Sequence, residues 1–193
     1  MRTTLIACAF IALAACQKPT SRQQQPSENE VATAPAAGEE SQIKGVHRDN
    51  RGKPAPDVPF NDPNGRPTSL AAFAGKPVLV NMWASWCAPC VKELPTLDTM
   101  SKQPGAPRVI AISQDMGPHA SVVAFLQSHK IANLEPYQDP KMALSGSLGA
   151  EVLPTSILYD ANGHEVWRYV GDFDWTGPEA ARLLSEAGAP AAH

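Results

Sequence analysis

Cysteine is scarce in this chain: there are four in 193 residues, and two of them, Cys8 and Cys16, fall in the first sixteen positions. Only Cys87 and Cys90 remain for the rest, which excludes a small fold stapled by disulfides. A structural zinc site takes about four ligands. No second cysteine pair exists here, and His47, His119, His129, His164 and His193 are scattered rather than set at ligand spacing. Basic charge is not in surplus either, with 16 Lys and Arg against 19 Asp and Glu and a net charge of −3. The chain therefore lacks the electrostatic footprint of a nucleic-acid binder. Long apolar runs are also missing, and the uncharged stretch at 5–15 falls short of the ~20 residues of a membrane-spanning helix.

What is present is a cysteine pair in a telling place. The β-branched-rich run Val78-Leu79-Val80-Asn81-Met82-Trp83 reads as a buried strand. Trp86-Cys87-Ala88-Pro89-Cys90 follows at once, and then Val91, Leu94, Leu97 and Met100 recur at helical spacing to about Lys102. The thiols thus sit where a strand hands over to a helix, with Cys87 at the helix entry and Cys90 about one turn in. Residues so spaced have Cα atoms about 5–6 Å apart, within reach of a disulfide. The exposed amides at the helix start favour a thiolate on Cys87. A structural disulfide closing so short a loop would remove little chain entropy. The pair is read as a reversible two-electron switch.

Ahead of that pair the composition changes twice. Residues 1–15, with Arg2 followed by a short apolar stretch, are expected to be a secretory signal. The stretch ends in Leu13-Ala14-Ala15-Cys16, which resembles the lipobox of bacterial lipoproteins. That resemblance implies cleavage before Cys16 and its acylation, and two or more acyl chains anchor a protein stably. Gln17 stands where the inner-membrane retention signal of such lipoproteins has Asp. From residue 16 to about 45 the chain is rich in Gln, Pro, Ser, Glu and Ala, too poor in large apolar residues to pack. It is expected to be a flexible tether, with one folded domain over 46–193.

Within the domain, Asp62-Pro63-Asn64-Gly65 signals a turn. Residues 108–112 read as a second buried strand and 118–130 as a helix with Val122, Val123, Phe125 and Leu126 inward. A short strand is expected over 134–138 and a short helix over 141–148. Strands over 155–159 and 165–170 are joined by the hairpin signal Asn162-Gly163. Thr176 with Glu179 forms a capping box for a last helix ending at Gly188. This order predicts an α/β sandwich with a mixed sheet.

Several of these motifs together resemble the thioredoxin fold, and within it the TlpA/ResA-type thiol-disulfide oxidoreductases. Gly75-Lys76-Pro77 through Cys87-Ala88-Pro89-Cys90 matches that family's signature. Pro95 falls where its catalytic helix carries a proline, and Val152-Leu153-Pro154-Thr155 matches its cis-proline segment. Asp174-Trp175-Thr176-Gly177-Pro178 resembles its last helix. The likeness runs over about 55–187. It implies a mixed β-sheet flanked by helices, with an N-terminal extension and a short central βα insertion.

The resemblance also implies roles. Cys87 becomes the exposed nucleophile and Cys90 the more buried resolving thiol of a redox-active disulfide. Trp86, Leu153 and Pro154 become the substrate-binding surface, with Leu153-Pro154 cis, while Trp83 belongs to the core. No metal or other cofactor is implied. Thioredoxin has a buried aspartate where Asn81 stands, and an amide cannot titrate. Some relatives place Glu between the cysteines, where this chain has Ala88. Glu93 is expected on the solvated surface and Glu151 is left open, so the proton route for Cys90 stays open too, with ordered water one option.

The expected activity is reduction of disulfides in extracytoplasmic client proteins, as in cytochrome c maturation or copper-site assembly. The protein would be lipid-anchored to a bacterial membrane on its periplasmic side. Its electrons would come from a membrane thiol donor, since no nicotinamide or flavin motif is present. A disulfide-forming oxidase or isomerase is one alternative. A copper metallochaperone is another, although its relatives in this fold use a Cys-x-x-x-Cys pair with a distant histidine.

Overall fold

The computed structural model describes residues 44–188. The signal-like segment, Cys16 and the tether up to residue 43 lie outside the described residues, as do 189–193. The chain divides into two units after Ala34, and the first of them falls wholly outside. Among the described residues no helix is long and apolar enough to cross a membrane.

Among the described residues eight strands form one mixed sheet: β1 Gly45–His47, β2 Phe60–Asn61, β3 Pro67–Thr68, β4 Val78–Trp83, β5 Arg108–Ser113, β6 Tyr137–Gln138, β7 Thr155–Tyr159 and β8 Glu165–Val170. Their order across the sheet is β1-β8-β7-β4-β5-β6-β2-β3. The central strand β4 pairs parallel with β5 and antiparallel with β7. All six of its residues are buried, as a largely apolar run covered on both faces requires, and the one polar residue, Asn81, is buried with them. Four α-helices of the described residues pack on the sheet: α1 Ala88–Met100, α2 His119–Ser128, α3 Ala143–Leu148 and α4 Pro178–Ser185. This is the thioredoxin-like arrangement, with β6 and α3 as the central insertion.

Side chains alternate across β4, and that alternation places the site. Val78, Val80 and Met82 join one apolar cluster with Phe60, Ile110, Ile112, Leu144 and Ile157. Leu79 and Trp83 join the other cluster, with Leu94 and Leu97 of α1, Val122 and Leu126 of α2, and Leu183 of α4. Asn81 belongs by register to this second face, toward α1. Trp167 on β8 donates its indole N–H to the Leu183 carbonyl at 3.0 Å and pins α4 to the sheet.

Three local expectations are corrected. The last helix begins after Gly177 with no side-chain cap. Thr176 instead donates its hydroxyl to Asp174 at 2.6 Å, and Glu179 pairs with Arg182, so no capping box forms. Val123 is only half-buried, outside the stripe of Val122 and Leu126 that α2 presents to the core, while Phe125, half-buried too, packs inward against Trp83. The strand expected over 134–138 shortens to Tyr137–Gln138. Leu134 there is tied to α1, its backbone N–H donated to Asp98 Oδ1 at 3.1 Å.

Candidate active site

Strand β4 runs through Ala84, Ser85 and Trp86 into α1, and Cys87 caps that helix. Its backbone is extended, with φ −91° and ψ 100°, and its Sγ accepts the Cys90 N–H at 3.3 Å. Cys87 and Cys90 form a disulfide with Cα atoms 5.3 Å apart. Pro89 sits in the first turn, where a missing N–H costs nothing because that group has no intrahelical partner. The unpaired amides of this turn favour negative charge on the capping sulfur. Cys90 is fully buried and Cys87 is only 6% exposed, less open than the resemblance implies. The disulfide draws the Cys87 sulfur in toward its buried partner. Trp86 beside it is 68% exposed, while Trp83 is fully buried in the core.

The Leu153–Pro154 bond is cis. Because Thr155 pairs with Met82 across β7 and β4, these two residues lie at the end of the sheet where β4 runs on to Cys87. Leu153 packs against the apolar cluster that contains both cysteines, and the Pro154 carbonyl accepts the Gly171 N–H at 2.8 Å. The described residues expose four large apolar side chains: Trp86, Met116, Met142 and Val152. The first three line an open groove of about 810 Å³, and Val152 precedes the cis bond by one residue. The fold thus brings Trp86, the disulfide and Leu153-Pro154, over sixty residues apart in sequence, to one end of the sheet.

A buried disulfide at a helix entry, with a cis-proline loop at the same end of the sheet, is the arrangement of a thiol-disulfide exchange site. Residues 50–184 match the Redoxin family. The chain is 32% identical over 124 residues to the thiol-disulfide oxidoreductase ResA of Bacillus thuringiensis, covering 63% of this chain and 70% of that one. The ResA of Bacillus subtilis is 28% identical, with 61% and 65% covered. A solved structure from Chlorobium tepidum, assigned as the thiol:disulfide interchange protein DsbE, superposes with a TM-score of 0.60 at 27% identity, covering 72% of this chain and 98% of that one. The chain belongs to the Redoxin family. Within it the chain is a TlpA/ResA-like, thioredoxin-fold thiol-disulfide oxidoreductase.

This Redoxin-family site contains a carboxyl that was expected on the surface. Glu93 is 3% exposed, on the buried face of α1 with Cys90, Leu94 and Leu97. Its Oε1 accepts from Asn81 Nδ2 at 2.7 Å and its Oε2 from the Phe173 N–H at 3.0 Å. Burial pushes its pKa up to about 7, against the pull of those donors. The Trp175 indole also draws it down, although its Nε1 meets no partner of hydrogen-bonding geometry. Glu93 follows Cys90 by three residues, so the two lie one turn apart on one face. Asn81 also donates to Ser156 Oγ at 2.9 Å. β4 thus supplies the amide that holds a titratable group of α1. Glu151 is exposed.

The sequence reading of this Redoxin-family chain missed two features. Asp115, just past β5, accepts from Ser85 N–H at 3.1 Å, Ser85 Oγ at 2.8 Å and Ser113 Oγ at 2.7 Å, and so ties down the loop that carries Trp86. Its position just beyond a parallel neighbour of β4 was the available signal, since such strand ends gather functional groups. The segment Gly171-Asp172-Phe173 carries no local motif, and its hydrogen bonds and ion pairs are all long-range.

Proposed function

We propose that this oxidoreductase works on the extracytoplasmic side of a bacterial membrane, anchored through lipid on Cys16, and reduces disulfides of client proteins. The observation that carries the reading is the exposed apolar Trp86 next to a helix-capping Cys87, with buried Glu93 one turn beyond Cys90. Client chain lies on Trp86 and the half-buried Leu153, next to buried Pro154, beside an apolar groove of the size that ligand sites occupy. The Cys87 thiolate attacks one client sulfur. A mixed disulfide forms, the client S–S bond breaks and the second client sulfur leaves as thiolate. Cys90 then gives its proton to the Glu93 carboxylate and attacks Cys87 Sγ. The Cys87–Cys90 bond forms and the client is released with both sulfurs reduced. With a pKa near 7, Glu93 is close to half-ionised at neutral pH, where a proton acceptor works best. A membrane thiol donor returns the electron pair, since the sequence has no flavin or nicotinamide motif. Clients awaiting haem or copper fit the reading, because an oxidising compartment closes the thiols they need.

Three experiments test this. In intact cells Cys90→Ser should trap clients as mixed disulfides on non-reducing gels, and Cys87→Ser should trap none. Equal trapping by both would mean the two roles are misassigned. No trapping, together with tight Cu(I) uptake by the reduced protein, would move the function to copper carriage. Equilibration with glutathione decides direction. A potential near the thioredoxin value of about −270 mV supports a reductase, and one near −120 mV would make the protein an oxidant. For the anchor, Cys16→Ser should release the protein from membranes, and unchanged partitioning would sink the lipoprotein claim.

A further inference from the structure

The chain that leaves β8 touches three parts of the site in three residues. The Gly171 N–H donates to the Pro154 carbonyl at 2.8 Å. Asp172 pairs with Lys92 of α1 at 3.2 Å and with Lys44 just ahead of β1. The Phe173 N–H donates to Glu93 Oε2 at 3.0 Å. Lys44 makes a second, independent contact on this segment. Gly171 has φ +94°, and a Cβ built there would stand 2.9 Å from Lys44 Cγ, so the lysine stem lies across the glycine backbone. Gly45 pairs with Val170 in the β1–β8 ladder, which fixes where Lys44 falls. An exposed ion pair alone does little. This one is oriented by a strand register and packed along its stem, which removes much of the entropy such a pair must otherwise give up.

We propose that Lys44 is a positioning residue, holding the Gly171–Phe173 segment through Asp172 so that the Phe173 amide and the local charge balance set the protonation of the buried Glu93 carboxyl. The charged neighbours give the direction. Neutral Asn81 faces Glu93 from β4, with neutral Ser156 behind it on β7. Tyr169 comes from β8, and on its own helix Glu93 has Cys90 and Lys92. Asp172 raises the Glu93 pKa by repulsion, and Lys44 attracts both carboxylates. Removing Lys44 withdraws a direct attraction, frees the repulsion of Asp172 and loosens the Phe173 amide. All three effects favour the protonated acid. Neutralising Asp172 removes the repulsion and leaves Lys44 and Lys92 uncompensated, which favours the carboxylate.

The consequence for exchange rests on Glu93 as proton partner of Cys90, but the test need not. In the full-length oxidised protein, the Glu93 carboxyl is followed by carbon NMR against pH. Lys44→Met should raise its midpoint by about half a pH unit, Lys44→Arg should restore it, and Asp172→Asn should lower it. A general loosening of the fold would move the Met and Asn variants the same way. That result, or a Lys44→Met midpoint within about 0.2 of wild type, overturns the proposal. In the reduced protein, the pH profile for resolving a mixed disulfide should follow the carboxyl. If the carboxyl shifts as expected while that profile stays put, Lys44 keeps its positioning role and the proton role of Glu93 falls.

Discussion

Cys87 and Cys90 share one bond and one helical turn, yet the helix gives them unlike surroundings. Cys87 lies at the mouth of α1, next to exposed Trp86, and the residues between the cysteines, Ala88 and Pro89, carry no charge. Its chemistry is set by unpaired amides and the end of a dipole. Cys90 is fully buried, its own amide is taken by Cys87 Sγ, and a thiolate there is disfavoured by lost hydration. In the proposed exchange the proton of that thiol passes to a carboxyl, Glu93, itself buried and held by Asn81 and the Phe173 amide. One sulfur is prepared by backbone and the other by a side chain, so mutation should separate them. Asn81 suits the second arrangement because its Oδ1 has no partner. With the amide turned, its Oδ1 accepts a hydrogen bond from the protonated acid, as its Nδ2 donates one to the carboxylate.

The larger expected effect is at the buried end. The folded pKa of Glu93, about 7, stands above its ordinary value of 4.5. The native state therefore binds more protons than the unfolded chain between those pH values, and stability falls as pH rises through that window. At 1.36 kcal/mol per pH unit the total is up to about 3 kcal/mol. Glu93→Gln cannot titrate and should abolish this slope, measured as the difference between variant and wild type in denaturant midpoints from pH 4 to 8. The absolute stability of the variant is a poorer readout, since the new amide sets a donor against the Asn81 or Phe173 donor, at a cost of about 1–3 kcal/mol. Resolution of a mixed disulfide by Cys90 should slow by roughly 10²-fold, while the first attack by Cys87 should hardly change. An unchanged stability slope would mean that Glu93 is ionised when folded.

The two ends were not equally legible in the sequence. The Cys87 end rests on local signals: an apolar run, a Cys-x-x-Cys pair and a helical period, which together place a thiol at a helix entry. The order of strands and helices is legible for the same reason, because each element carries its own pattern. Glu93 was misplaced because a charged residue is rarely buried, and that general expectation overrode a local one. Its spacing from Cys90, with Leu94 and Leu97 on the same face, already put it inward. Phe173, Asp172 and Lys44 lie at least 49 residues from Glu93 in sequence. Their convergence depends on the β1–β8 register, which short strands with mixed burial do not announce. The capping box failed differently. Thr176 had a nearer acceptor in Asp174, and a hydroxyl in use there does not cap.

The smaller effect is at the mouth of the helix. Reduced Cys87 should titrate below the free-thiol value of about 8.5, because its Sγ faces the Cys90 amide and the amides of the first turn. Nothing acidic lies between the cysteines to oppose this. A dipole end contributes about 0.3–1 kcal/mol at exposed sites and up to ~2 when partly buried. Cys87 is nearly covered, which sharpens the dipole but also costs a thiolate hydration, so the amides must outweigh that cost for the inflection to fall below the free-thiol value. Alkylation rate against pH on the reduced Cys90→Ser protein isolates this thiol. Glu93→Gln in that background should leave the inflection almost unmoved, since the carboxyl lies nearly two turns further along α1. An inflection at or above 8.5 would remove the dipole argument. A shift of a full unit on Glu93→Gln would mean that one electrostatic field governs both sulfurs, and the division between the two ends of this helix would not hold.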